Sequence, residues 1–134
     1  MSDITRWHKD GREEKAEYSR AVRRLGHIAV SGTTATGDDG LAVHPGDTYQ
    51  QTRAALQRAL AAMHALGGRL EDVVRTRVYL APDADWQEAA RAHAELVGPV
   101  APANTMVYVA RLIGEGFLVE VELDAEAPPE PSIP

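Results

Sequence analysis

The stretch Leu70-Glu-Asp-Val-Val-Arg-Thr-Arg-Val-Tyr-Leu80 decides the fold. From Val73 onward it alternates. Thr76, Val78 and Leu80 fall on one face, Arg75, Arg77 and Tyr79 on the other, the period-two pattern of a strand buried on one side. On both sides of it the period changes to that of a helix. Upstream, Pro45-Gly46-Asp47 opens a long helix with Asp47 as its N-cap. Its apolar face carries Tyr49, Leu56, Leu60, Met63 and Leu66, and Gly67-Gly68 stops it. Downstream, Asp83 and Asp85 offer caps for a second helix holding Trp86, Ala89, Ala90, His93 and Val97, ended by Gly98-Pro99.

Further strands lie outside this helix–strand–helix unit. A short one spans 19–24 and another runs from Leu25 to Ser31, followed by the turn Thr36-Gly-Asp-Asp-Gly40. Met106 to Leu112 and Phe117 to Leu123 read as two strands joined by Gly114-Glu-Gly116. The economical solution is an α+β domain, with one sheet carrying two helices on one face. The other sheet face is then uncovered, with Glu120 and Glu122 on the last strand and Met106, Tyr108 and Ala110 on the one before. A half-apolar bare face points to an oligomer. Residues 1–17 read as an N-terminal arm in which Ile4 and Trp7 are placed to dock. The folded domain is 18–125, and 126–134 is a proline-rich tail.

The 134 residues suit one domain. The core is light, with 22 alanines and one phenylalanine. Two explanations stand side by side. One is codon bias, which 12 arginines against 2 lysines suggest; the other is a core shared between subunits. The absence of cysteine excludes a disulfide scaffold, a thiolate zinc site and a cysteine nucleophile. No apolar run reaches the roughly 18–20 residues of a membrane span, and the N-terminus lacks a signal-peptide h-region. A soluble cytoplasmic protein is expected, with no membrane partner. The net charge is −6, and the acidic excess lies beyond residue 24. That argues against nucleic acid, which calls for a basic face.

Local chemistry motifs are few. The five histidines show no metal-ligand spacing, and the glycines form neither GxGxxG nor a phosphate loop, so no metal or cofactor is expected. Glu120 and Glu122 lie two apart on one strand face, roughly 6–7 Å apart along the backbone. Paired carboxylates divide acid and base roles where their environments differ; a solvated pair at a sheet edge looks the same in sequence.

Taken in order, several segments resemble a known series: Tyr18-Ser-Arg-Ala-Val22, Val30-Ser31-Gly32-Thr33, Gln51-Thr52-Arg53, Leu70 to Val78, Pro102-Ala103, Val109-Ala-Arg-Leu112 and Val119-Glu-Val-Glu122. Together they resemble the Rid family of reactive-intermediate deaminases, also known as YjgF-like proteins, L-PSP endoribonucleases and translation initiation inhibitors. The resemblance implies a chorismate-mutase-like fold with one mixed sheet. It further implies a homotrimer around a central barrel, with ligand clefts at the subunit interfaces. It makes Glu120 the residue that orients water and Tyr18, Ser31, Gly32 and Thr33 ligand-contacting positions. In the deaminating members an arginine after Pro-Ala binds the substrate carboxylate. Here that position is Asn104, which offers neutral hydrogen bonds in place of a charged fork. Asn104 and the backbone at Thr105 and Met106 are then expected to meet the polar end of the ligand. Ser31 is equally a strand-end residue capping a turn, and Tyr18 equally a packing residue.

Three function classes follow. The first is a hydrolase acting on C–N bonds, opening an imine, enamine or related small metabolite without the archetypal 2-iminopropionate activity. The second is a metabolite-binding regulator without catalysis. The third is an endoribonuclease of the L-PSP type. Whether Arg23, Arg24, Arg77 or Arg111 replaces the absent arginine is open at this level.

Overall fold

In the computed structural model, residues 3–9 and 17–129 are described. The chain runs β1 (Ile4–Trp7), β2 (Ala21–Arg24), β3 (His27–Thr34), α1 (Thr48–Ala65), β4 (Val73–Leu80), α2 (Trp86–Val97), β5 (Ala103–Tyr108) and β6 (Val119–Glu126). These form an α+β unit with one mixed six-stranded sheet, ordered β1-β2-β3-β6-β4-β5, and the two helices. Only β4 and β5 are parallel to each other; every other neighbouring pair is antiparallel.

The helix signals act as their chemistry requires. Asp47 accepts from the Gln50 N–H at 2.9 Å. Asp85, and not Asp83, caps α2 by accepting from the Gln87 and Glu88 N–H groups at 3.0 and 3.4 Å. The face α1 turns to the sheet is lined by Ala55, Leu56, Ala59, Ala62 and Met63, all buried. Small side chains there let helix and sheet approach closely. Across from them lie Ile28 and Val30 of β3, Val78 and Leu80 of β4, and Val119, Val121 and Leu123 of β6.

Two expectations need correction. First, the last two strands have other bounds than 106–112 and 117–123: they span 103–108 and 119–126, with Gly114-Glu-Gly116 in the longer loop that joins them. β5 begins at Ala103 and lies at the sheet edge beside β4, while β6 inserts between β3 and β4. An edge strand with both faces partly open carries little periodic signal, so its ends are hard to phase. Second, register pairs Thr76, Val78 and Leu80 with Asn104, Met106 and Tyr108. Met106 and Tyr108 therefore share the helix side. The open face instead carries Arg75, Arg77 and Tyr79 of β4, with Glu120, Glu122 and Asp124 of β6 alongside. Its centre is charged, and Val22, Ala29, Ala103 and Val107 on the neighbouring strands give it apolar flanks. Ile4–Trp7, the part of the arm placed to dock, forms the edge strand β1 against β2, and Trp7 packs on the core. The other expectations for 1–2, 10–16 and 130–134 fall outside the described residues. Among the described residues no helix is long and apolar enough to cross a membrane.

Candidate functional site

Where β3 runs along β6, Val30 pairs with Leu123 but Thr33 with Val121, so β3 carries one extra residue there. Such a bulge takes Ser31 and Gly32 out of the ladder and re-aims them. Both face a cleft of about 580 Å³ that Tyr18, Arg20, Tyr79, Arg111, Glu120 and Glu122 also line. Ser31 donates its hydroxyl to the Ser19 carbonyl at 2.6 Å, and its N–H reaches the Arg20 carbonyl at 3.0 Å. These two bonds hold the Tyr18–Arg20 segment against β3. A Cβ on Gly32 would stand 3.0 Å from the Glu120 carboxyl, so glycine is what allows that approach.

The two glutamates differ in their surroundings. Glu122 accepts from the Tyr79 hydroxyl at 2.5 Å and lies 3.8 Å from the Arg77 guanidinium. That bond, with burial second, raises the pKa of Tyr79. No described side chain donates a hydrogen bond to Glu120. Burial pushes the Glu120 pKa up; Arg20 opposes the shift and Glu122 adds to it. Arg20 donates to the Gly32 carbonyl at 2.7 Å, stands 5.5 Å from the centre of the Tyr18 ring, and keeps a buried Nε–H without a partner. The arrangement offers a free, half-buried base beside a neutral hydroxyl and two guanidinium groups.

The loop between β5 and β6 forms one wall of the cleft through Arg111, Leu112 and Ile113. Gln51 on α1 pins it. Its side chain is fully buried, donates to the Gly116 carbonyl at 2.9 Å and accepts from the Leu118 N–H at 2.8 Å.

The other expected positions lie elsewhere. Thr33 is buried on the helix side, with its hydroxyl donating to the Ser31 carbonyl at 2.8 Å. Asn104 and Met106 line a second groove of about 340 Å³ between α2 and β5, with Leu80, Trp86, Ala90 and Tyr108. Thr105 is on the open face of β5, exposed. Asn104 Nδ2 donates to Thr76 Oγ1 at 3.0 Å, and Thr76 Oγ1 stands 2.7 Å from His93 Nε2. Burial lowers the pKa of His93. Of the arginines weighed as replacements, Arg111 lines the cleft. Arg77 is held by Glu122 and Asp124, and Arg24 is exposed on β2. Arg23 is buried, donating to the carbonyls of Leu25, Leu66 and Pro128, each at 2.8 Å. Sequence reasoning missed Arg20 as a cleft residue. The available signal was its place two residues after Tyr18, just before the strand that begins at Ala21. Among the described residues no group of His, Asp or Glu is arranged to hold a metal ion.

Comparison with known proteins agrees with this architecture. The family model described as Endoribonuclease L-PSP matches residues 11–127. A Streptomyces coelicolor protein, SCO2049, is 40% identical over 113 residues, covering 84% of each chain. The 3-aminoacrylate deaminase RutC of Acinetobacter baylyi is 29% identical over 106 residues, 79% of this chain and 83% of that one. The crystal structure of Rv2704 from Mycobacterium tuberculosis, a member of the YjgF/YER057c/UK114 family, superposes with a TM-score of 0.81 at 39% identity. It covers 92% of this chain and 99% of that one. The chain thus belongs to the L-PSP endoribonuclease family, the YjgF/Rid proteins.

Proposed function

We propose that the protein hydrolyses the C–N bond of a small imine or enamine, with Glu120 as the base. The observation that carries this reading is the contrast between the two glutamates: Glu122 is engaged by Tyr79, whereas Glu120 is half-buried, free and raised in pKa. A carboxylate so placed takes a proton from water more readily near neutral pH than an ordinary one. Water loses that proton to Glu120 as its oxygen bonds to the imine carbon, and the C=N electron pair moves to nitrogen. Glu120 passes that proton to nitrogen, giving a carbinolamine; it then takes the hydroxyl proton and hands it to the same nitrogen as the C–O electron pair forms C=O and the C–N bond breaks, so that ammonia leaves with a carbonyl product. Arg20 and Arg111 supply positive charge for an anionic substituent, and Tyr18 and Ser31 position the ligand. The relationship to a 3-aminoacrylate deaminase supports the enamine class.

Asn104 is on the opposite sheet face from Glu120 in one chain. A single ligand meets both only where two copies join. We therefore place the complete site at the interfaces of a homotrimer, with the groove of one copy facing the cleft of the next. The net charge of −6 and the two carboxylates in the cleft argue against RNA as substrate.

The test is ammonia release from short-lived imines and enamines generated in situ. Glu120→Gln should lower kcat at least 100-fold while leaving ligand-induced thermal stabilisation intact. Unchanged turnover in that variant refutes the base assignment. Ligands that stabilise the wild type without being consumed would make the protein a metabolite-binding trimer instead.

A further inference from the structure

We propose that the groove between α2 and β5 takes the uncharged N–H end of a small, largely apolar molecule, a carboxamide being its simplest form, because the Asn104–Thr76–His93 relay turns an acceptor toward the ligand. This deepens the reading above and rests on it only in taking the groove as part of the ligand site.

The directions of the relay follow from counting hydrogens. Asn104 Nδ2 faces the Thr76 carbonyl oxygen at 3.4 Å as well as Thr76 Oγ1 at 3.0 Å. Turned over, the amide would set its own oxygen against that carbonyl, so Nδ2 is the inward group. Thr76 is fully buried. Asn104 Nδ2, a donor only, also stands 3.4 Å from His93 Nε2, so Nε2 faces it as an acceptor and takes the Thr76 hydroxyl hydrogen at 2.7 Å. His93 is then neutral, with its proton on Nδ1. Half-burial of the ring acts in the same direction by disfavouring the imidazolium. Both amide hydrogens of Asn104 are thereby committed, and Oδ1 is what it offers a ligand.

The rest of the groove agrees. Tyr108 donates its hydroxyl to the Ala84 carbonyl at 2.8 Å, leaving an oxygen lone pair. Trp86 adds one neutral indole N–H, and Leu80 and Met106 make apolar walls. Among the described residues lining the groove none is charged. A carboxylate seated here meets two acceptors and no cation on the groove's own walls, Arg20 and Arg111 belonging to the cleft at the ligand's other end, and its desolvation is expensive. A carboxamide brings two N–H donors for those acceptors and one oxygen for the indole. The volume of about 340 Å³ admits a substituted ring.

The experiment compares phenylacetamide with phenylacetate, two probes of the same shape. Binding to the full chain is followed by NMR at the Trp86 indole and the Asn104 side-chain amide, and the imidazole ¹⁵N shifts of unliganded His93 are recorded. Phenylacetamide should bind at least tenfold more tightly than phenylacetate and shift both reporters, and His93 should be in the Nδ1–H form. Asn104→Arg should reverse the order of the probes. Equal affinities, a preference for phenylacetate, no saturable binding of either probe, or an Nε2–H tautomer each overturn the proposal. Repeating the titration with Glu120→Gln separates the two readings. An amide preference that persists there supports the groove whether or not Glu120 catalyses hydrolysis. A catalytic effect at Glu120 without amide preference sinks the groove alone.

Discussion

Replacing Gln51 by leucine should destabilise the fold and loosen the cleft at once. The side chain is fully buried at the first turns of α1, and leucine matches its bulk without its polar atoms. Two of its bonds go to the loop: the Leu118 N–H at 2.8 Å and the Gly116 carbonyl at 2.9 Å. A third, to the His44 carbonyl, is long at 3.4 Å. The Leu118 N–H is buried and has no route to water once Gln51 is gone. A buried unsatisfied group costs about 1–3 kcal/mol. The Gly116 carbonyl sits nearer the surface, so the sum is about 2–4 kcal/mol. An unfolding entropy of roughly 2.1 cal/mol/K per residue implies that ~3 kcal/mol lowers Tm by about 10 °C for a chain of this length. The assay is thermal unfolding at one fixed protein concentration, since an assembly's Tm depends on it. Gln50→Leu, one residue away and exposed, is the control and should move Tm by no more than about 2 °C. Because Leu118 leads directly into Val119-Glu120, Gln51→Leu should also weaken cleft ligands. A Tm change below about 3 °C would refute the reasoning, showing that the loop is held by its glycine turns and not by Gln51.

Two further outcomes can be checked with the same instrument. Arg23→Met removes a buried guanidinium that ties the β2–β3 turn, the end of α1 and Pro128 together; the orphaned Leu66 carbonyl is the buried one, so about 2–3 kcal/mol of stability should be lost, read as a lower urea midpoint at unchanged slope. Glu120 has a folded-state pKa above its unfolded value, so its protonated form favours the fold, and that contribution is lost as pH rises through the folded pKa. Glu120→Gln should therefore melt higher than wild type at pH 7, with the gap closing as pH falls below about 4.3, the usual range for glutamate; a gap that persists at low pH would trace the stabilisation to something other than the buried charge.

How much of this was legible in the sequence depends on the range of the interaction concerned. Asp47 and Asp85 were legible because a cap bonds two or three residues along the chain. The strand Val73–Leu80 was legible because one face is buried and the other is not. β5 was misplaced because its faces differ little in exposure and alternation then fixes no phase. Arg20 escaped because its partner, the Gly32 carbonyl, is 12 residues away across a bulge. The glutamate pair is the sharpest case. Sequence puts both carboxylates on one face and cannot say which is free. Even a correct strand register would have misled, since Tyr79 sits directly opposite Glu120, yet its hydroxyl reaches diagonally to Glu122. Diagonal neighbours two residues on are within reach of a tyrosine, so the lean of one side chain decides which carboxylate is left without a hydrogen-bonding side chain.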